Sequence, residues 1–180
     1  MNSCAWTSTI LGALLGVFYL WLVLKPASWR TAAAKFPRSV WAGRILTAVA
    51  VLWVSWLLFH MNLGRLSFLK SAVWYLAPIS YLLIIFLMDD LLAPRALGGL
   101  MLLAANPIFY YVRWHDSNLR LILVVTGYII VIKGMLLVLS PFQFRRLVNR
   151  FLNTDEQCRR WGSVGLAFSA LLLILGLFVF

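Results

Sequence analysis

Two apolar stretches near the end of the chain decide the fold: LILVVTGYIIVIKGMLLVLS at residues 121–140 and WGSVGLAFSALLLILGLFVF at residues 161–180. Each is about as long as an α-helix that crosses a hydrocarbon core of about 30 Å. In lipid, a helix satisfies all of its own backbone polar groups, so runs of this length predict spanning helices. A basic segment, residues 141–160, joins the two.

Four further apolar stretches precede this pair, at residues 5–24, 41–59, 71–88 and 96–112. The chain is 63% hydrophobic and only 12% charged, whereas soluble domains are about 45–50% apolar and roughly 25% charged. We therefore predict an all-α membrane protein with about six transmembrane helices. The predicted fold is a single integral membrane domain, residues 1–180, built from helical hairpins at residues 5–60, 71–112 and 121–180.

The positive charges lie in the loops and orient the chain. Loops 1, 3 and 5, which follow the first, third and fifth stretches, carry 11 of the 16 Lys and Arg residues when Arg44, near the start of the second stretch, is counted with loop 1. Loops 2 and 4 carry four, and Lys133 lies within a helix. Because Lys and Arg are enriched in short cytoplasmic loops, this predicts loops 1, 3 and 5 in the cytoplasm and both termini on the outer side. The net charge of +11 is not gathered on a polar face, so we expect anionic lipids, and no nucleic acid, as its partner.

Two basic loops share a pattern that starts at a proline. LKPASWR at residues 24–30 resembles LSPFQFR at residues 139–145, and a basic residue and a phenylalanine follow in both copies. Proline ends the incoming helix, and the spacing after Pro26 and Pro141 predicts a short amphipathic helix, here called an elbow, in the lipid interface. The recurrence is either a parallel duplication or a coincidence between two basic loops. The predicted interface residues are Trp29, Arg30, Lys35, Phe36, Phe144, Arg145, Arg146, Arg150 and Phe151.

The last third of the chain resembles a known family. Its motifs are GY at residues 127–128, KG at 133–134, LSP at 139–141, RR at 145–146, RRWG at 159–162 and GL at 165–166. They are similar to the YjeT-like family of two-helix bacterial inner-membrane proteins of uncharacterised function. The family tends to have an acidic residue where this chain has Lys133. The resemblance covers roughly 60 residues, implies a bacterial inner-membrane location and supplies no catalytic residue.

Two polar residues fall inside predicted spans. Lys133 is a candidate functional residue because a charge costs about 2.5–3.5 kcal/mol at the bilayer centre. It either pairs with a carboxylate, of Asp89, Asp90 or a partner subunit, or extends its stem toward the inner headgroups. Asn106 precedes Pro107, and this pair is predicted to break the fourth span, where freed carbonyls line a cavity or form a kink.

The other candidate ligands have simpler interpretations. Asp89 and Asp90 end the third span; they could hold a cation, but capping the next helix or pairing with Arg95 explains them better. His60 and His115 lie on different outer loops with no ligand spacing, so no metal site is expected. Cys4 and Cys158 are expected on opposite sides of the bilayer, unpaired.

No catalytic motif is recognisable, so we expect a protein that is not an enzyme and has no cofactor. The favoured function is an accessory or scaffold subunit that binds other membrane proteins, possibly itself. One alternative is a small-solute transporter or channel, which a polar cavity around Lys133, Asn106 and the two aspartates would favour. The other is a haem- or quinone-linked electron-transfer subunit.

Overall fold

The computed structural model describes residues 3–61, 68–88, 91–113, 119–142, 146, 148 and 154–179. Seven α-helices make up this part of the chain, with a 3₁₀ turn at Phe36–Arg38 and a π turn at Leu175–Val179. The helices are α1 Ser3–Leu24, α2 Pro26–Lys35, α3 Val40–His60, α4 Phe68–Leu87, α5 Leu92–Val112, α6 Arg120–Leu139 and α7 Asp155–Ile174.

Every helix except α2 is long and apolar enough to cross a bilayer, which gives six candidate spans. The predicted all-α, six-helix membrane fold is therefore confirmed: this is a multi-pass membrane protein.

All six spanning helices begin earlier than predicted, and the largest shifts are at α7 and α5. Helix α7 starts at Asp155, six residues before Trp161, because Asp155 and Glu156 place negative charge in its first turn, where the helix dipole favours it. Helix α5 starts at Leu92 directly after Leu91, which adopts a left-handed conformation with φ 57°. Pro94 then falls within the first turn, where a missing N–H costs nothing.

Small residues bring α1 and α7 together. A Cβ atom added at Gly12 would lie 2.9 Å from Leu173 Cγ and 3.1 Å from the Ser169 carbonyl oxygen. The buried Ser8 hydroxyl donates a hydrogen bond of 2.7 Å to the Leu172 carbonyl oxygen. Close backbone approach and an interhelical hydrogen bond are the usual means of joining helices in lipid, where the hydrophobic effect does not drive them together.

A second close contact joins α5 and α6. A Cβ added at Gly98 would lie 2.7 Å from the Gly134 carbonyl oxygen, and one at Gly127 would lie 2.9 Å from the ring of Phe109. The rings of Phe109 and Tyr128 pack with their centroids 5.0 Å apart. Since α5 also packs against α3 and α1, it is the central helix of the fold.

Helical hairpins are present, but their members differ from those predicted. Helix α1 packs mainly on α7 and α5 mainly on α6, while α3 packs more extensively on α5 than on α4. The predicted hairpins instead paired α1 with α3, α4 with α5 and α6 with α7. Seven-residue connections hold α3 beside α4 and α5 beside α6, while 15-residue connections let α1 separate from α3 and α6 from α7. Only four residues link α4 to α5, yet a groove separates the two helices.

Candidate functional site

The first elbow packs against the protein rather than against lipid. Helix α2 forms as predicted, but the Trp29 side chain is only 7% exposed and lies in a buried cluster with Leu22, Ala33 and Cys158. The expectation that Trp29 faces lipid is therefore wrong. The early start of α7 explains the difference, because it places Cys158 beside the indole ring and gives the ring an apolar surface to cover.

An ion pair lies near this buried cluster and joins α2 to α7. Arg30 Nη1 donates to Asp155 Oδ1 at 2.5 Å, and both side chains remain about half exposed. Arg30 was predicted to contact headgroups, but its guanidinium is turned toward the first turn of α7. An exposed pair of this kind contributes little stability, up to about 1 kcal/mol, so the buried cluster around Trp29 contributes more to the packing of α2 on α7.

The remaining predicted elbow residues divide into two groups. Lys35 and Arg146 are exposed and Phe36 is partly buried, and the Arg146 guanidinium lies 5.1 Å from the centre of the Phe142 ring. Lys35 and Arg146 can thus still reach a lipid headgroup. Four residues lie outside the described part of the chain: Phe144, Arg145, Arg150 and Phe151.

Lys133 points away from the helix bundle. It is exposed on α6, and the exposed apolar side chains of Ile129, Ile132 and Leu136 surround it on the same helix. Its ammonium has no hydrogen-bond or ion-pair partner among the described residues. The helix end at Leu139 is six residues away, or about 9 Å at 1.5 Å per residue. Lys133 therefore places a positive charge on a surface that otherwise suits lipid or another membrane helix.

The predicted break at Asn106 does not occur. Helix α5 continues from Leu92 through Pro107 to Val112, and the Asn106 side chain is exposed rather than directed into a cavity. Transmembrane helices tolerate proline where packed neighbours support the helix, and α5 has neighbours on several sides. The predicted carboxylates Asp89 and Asp90 lie outside the described residues, so their pairing with Lys133 or Arg95 stays a prediction.

A groove between α3, α4 and α5 is a feature that the sequence did not predict. It has a cavity volume of about 1000 Å³, and Val138 and Leu139 of α6 also line it. Helix α3 forms the back wall and α4 and α5 form the sides. Apart from one cation, Arg95, the lining consists of aliphatic side chains, glycine and three hydroxyl residues. Leu83 and Ile79 line it while remaining about half exposed, so the groove opens to the surroundings of the bundle.

The imidazole and thiol groups do not assemble into a site in the described part. His60 Nδ1 lies 2.8 Å from the Trp56 carbonyl oxygen, and its ring packs on the Trp56 indole. His115 lies outside the described residues. Cys4 and Cys158 are buried in separate clusters, and no group of three or more His, Cys, Asp or Glu residues forms among the residues described.

Comparisons with known proteins supply no relative. No protein-family model matches the chain, and no curated protein or solved structure is detectably similar to it. The YjeT-like resemblance of the last third therefore stays a prediction.

Proposed function

We propose that this protein is a non-enzymatic accessory or scaffold subunit of a bacterial inner-membrane complex, and that it binds another membrane protein through the face of α6 around Lys133. The observation that carries the proposal is the outward position of Lys133 among Ile129, Ile132 and Leu136. A lysine on a lipid-facing surface is costly at this depth. A carboxylate on a neighbouring membrane protein would remove that cost and would also make the contact selective.

The proposed orientation places both termini on the outer side. The 11-to-4 division of Lys and Arg between the two sides of the membrane supports it. On this orientation α2 and Arg146 lie at the cytoplasmic surface, where Lys35 and Arg146 meet anionic headgroups. The resemblance of the last third to the YjeT-like family supports the bacterial inner membrane.

The groove does not favour the transporter alternative. A small polar solute needs polar groups along its path, whereas the groove is lined mainly by aliphatic side chains. Lys133 and Asn106, which the transporter hypothesis would place around a cavity, are both exposed on the outside of the helix pair α5 and α6.

Site-specific photocrosslinking in native membranes tests the proposed surface. A photoreactive amino acid at Ile132 is expected to form one defined adduct, whereas the same probe at Leu14, an exposed position on α1, does not form it. The adduct should persist in Lys133→Arg, which retains the charge, and should be lost in Lys133→Met. If the adduct is equally abundant in Lys133→Met, the lysine only extends toward headgroups and the proposal is wrong.

A further inference from the structure

The groove contains one side chain whose hydrogen-bond donors are available to an anionic ligand. Its three hydroxyls already donate within their own helices: Thr47 to the Gly43 carbonyl, Ser55 to Val51 and Ser80 to Ala77. Arg95 is partly buried and has no hydrogen-bond or ion-pair partner among the described residues. Its guanidinium carries five N–H donors in a planar fork that matches phosphate oxygens. The groove thus combines an apolar wall with a single cationic end.

The part of the groove that α5 lines is about as long as one leaflet of a bilayer. Along α5 the lining extends from Leu92 to Leu103, a rise of about 16 Å at 1.5 Å per residue, and α3 and α4 continue the apolar wall further, to Leu58 and Val73. Half of a hydrocarbon core of about 30 Å is about 15 Å. Arg95 lies three residues from the start of α5, or about 4.5 Å along the axis, so its charge is near headgroup level while the apolar wall continues toward the midplane.

We propose that this groove binds one anionic phospholipid, with an acyl chain along α3 and α4 and the headgroup phosphate on the Arg95 guanidinium. On the orientation proposed above, Arg95 lies on the cytoplasmic side, the leaflet that presents anionic lipids to basic residues. The site is independent of any partner at Lys133. Its volume of about 1000 Å³ is at the upper end of the range for ligand pockets, roughly 300–1000 Å³.

Gly99 leaves space in the groove for the acyl chain. A Cβ added at Gly99 meets no atom within 4 Å, although the residue lines the groove. A large side chain at this position would therefore enter the space of the acyl chain without displacing a helix. The neighbouring Gly98 is on the packed side, against Gly134.

Native mass spectrometry of the full chain, purified in mild detergent and stripped of lipid, tests the proposal. Phosphatidylglycerol and phosphatidylcholine with identical acyl chains are the two probes. The wild type is expected to bind one phosphatidylglycerol at least about tenfold more tightly than phosphatidylcholine, the scale of charge-assisted hydrogen bonds. Arg95→Gln should abolish this preference, whereas Arg38→Gln, which removes an exposed charge outside the groove, should change it less than twofold.

A second variant, Gly99→Phe, tests the space for the acyl chain and should weaken binding of both lipids. Its control is Gly99→Ala, which should leave lipid binding unchanged. Arg95→Gln carries the test alone if Gly99→Phe fails to fold. Three results would overturn the proposal. The first is that Arg95→Gln changes the preference no more than Arg38→Gln, as expected if Arg95 instead pairs with Asp89 or Asp90. The second is that the two lipids bind equally, as expected if the groove takes an uncharged apolar molecule. The third is that a dimer forms and excludes lipid, as expected if a second copy of the chain fills the groove.

Discussion

Alanine substitutions at the adjacent residues Gly98 and Gly99 of α5 should change the stability of the protein in opposite directions. At Gly98 the new methyl would lie 2.7 Å from the Gly134 carbonyl oxygen and 2.9 Å from both Leu137 Cβ and Val138 Cγ2. At Gly99 it would meet nothing within 4 Å. Both substitutions gain the same intrinsic helix propensity, about 1 kcal/mol. The difference between the two variants therefore isolates the packing of α5 on α6.

The magnitude follows from the cost of overpacking. Inserting a methyl into a tight contact costs about 1–3 kcal/mol, so Gly98→Ala should have a net effect between about zero and 2 kcal/mol of destabilisation once the gain in helix propensity is subtracted. Gly99→Ala should stabilise by up to about 1 kcal/mol. We expect a difference of about 2 kcal/mol in the free energy of unfolding.

Reversible unfolding in mixed detergent micelles, titrated with SDS and followed by the helical circular dichroism signal, measures this difference. Gly134→Ala is a second check from the other helix, because its added Cβ would lie 3.0 Å from the Gly98 carbonyl oxygen, and it should also destabilise. Equal stability of Gly98→Ala and Gly99→Ala would refute the close approach of α5 and α6 at this level.

Three further experiments test the packing of α2 on α7 and the orientation of the chain in the membrane. Trp29→Ala should lower the free energy of unfolding by about 3 kcal/mol because it removes a buried ring. Trp41→Ala, which removes a ring that is 75% exposed, should have little effect on the free energy of unfolding. Equal effects of the two substitutions would show that Trp29 faces lipid after all. A double-mutant cycle of Arg30→Gln and Asp155→Asn should give a coupling energy below about 1 kcal/mol that falls as salt is raised, and a larger coupling that salt does not change would contradict the exposed geometry. In a chain without Cys4 and Cys158, Lys35→Cys should react with a membrane-impermeant thiol reagent only from the cytoplasmic side, and His60→Cys only from the outer side. The reverse labelling pattern would show that the proposed orientation is wrong.

The sequence was sufficient for the membrane fold because hydrophobic length is a local property. Six apolar stretches of nearly the required length predict six helices whatever their neighbours are, and the helix after Pro26 follows from proline and spacing in the same way. The helix starts at Leu92 and Asp155 were missed because Leu91 adopts a conformation rare for leucine, and because polar first turns do not belong to an apolar stretch.

Helix pairing was harder to predict because it depends on contacts between distant residues. Gly12 and Gly16 are four residues apart, a spacing that permits close helix contact, but nothing in the sequence identifies Leu173 of α7 as the partner of Gly12. The same limit applies to Trp29, since an aromatic residue on an amphipathic helix suits lipid and a buried cluster equally well. The groove could not be predicted for a related reason. Gly99 and Arg95 line it, but only the packed structure shows that Gly99 borders open space.

The most direct test of the central claim is purification of the tagged wild type, Lys133→Arg and Lys133→Met from native membranes in mild detergent, with mass spectrometry and an absorption spectrum of each preparation. An accessory subunit that docks through Lys133 should bring one stoichiometric partner in the wild type and in Lys133→Arg, lose it in Lys133→Met, and show no visible absorbance. A solitary protein in all three preparations would contradict that account. A Soret band would contradict it as well, and would make the electron-transfer alternative the one to pursue.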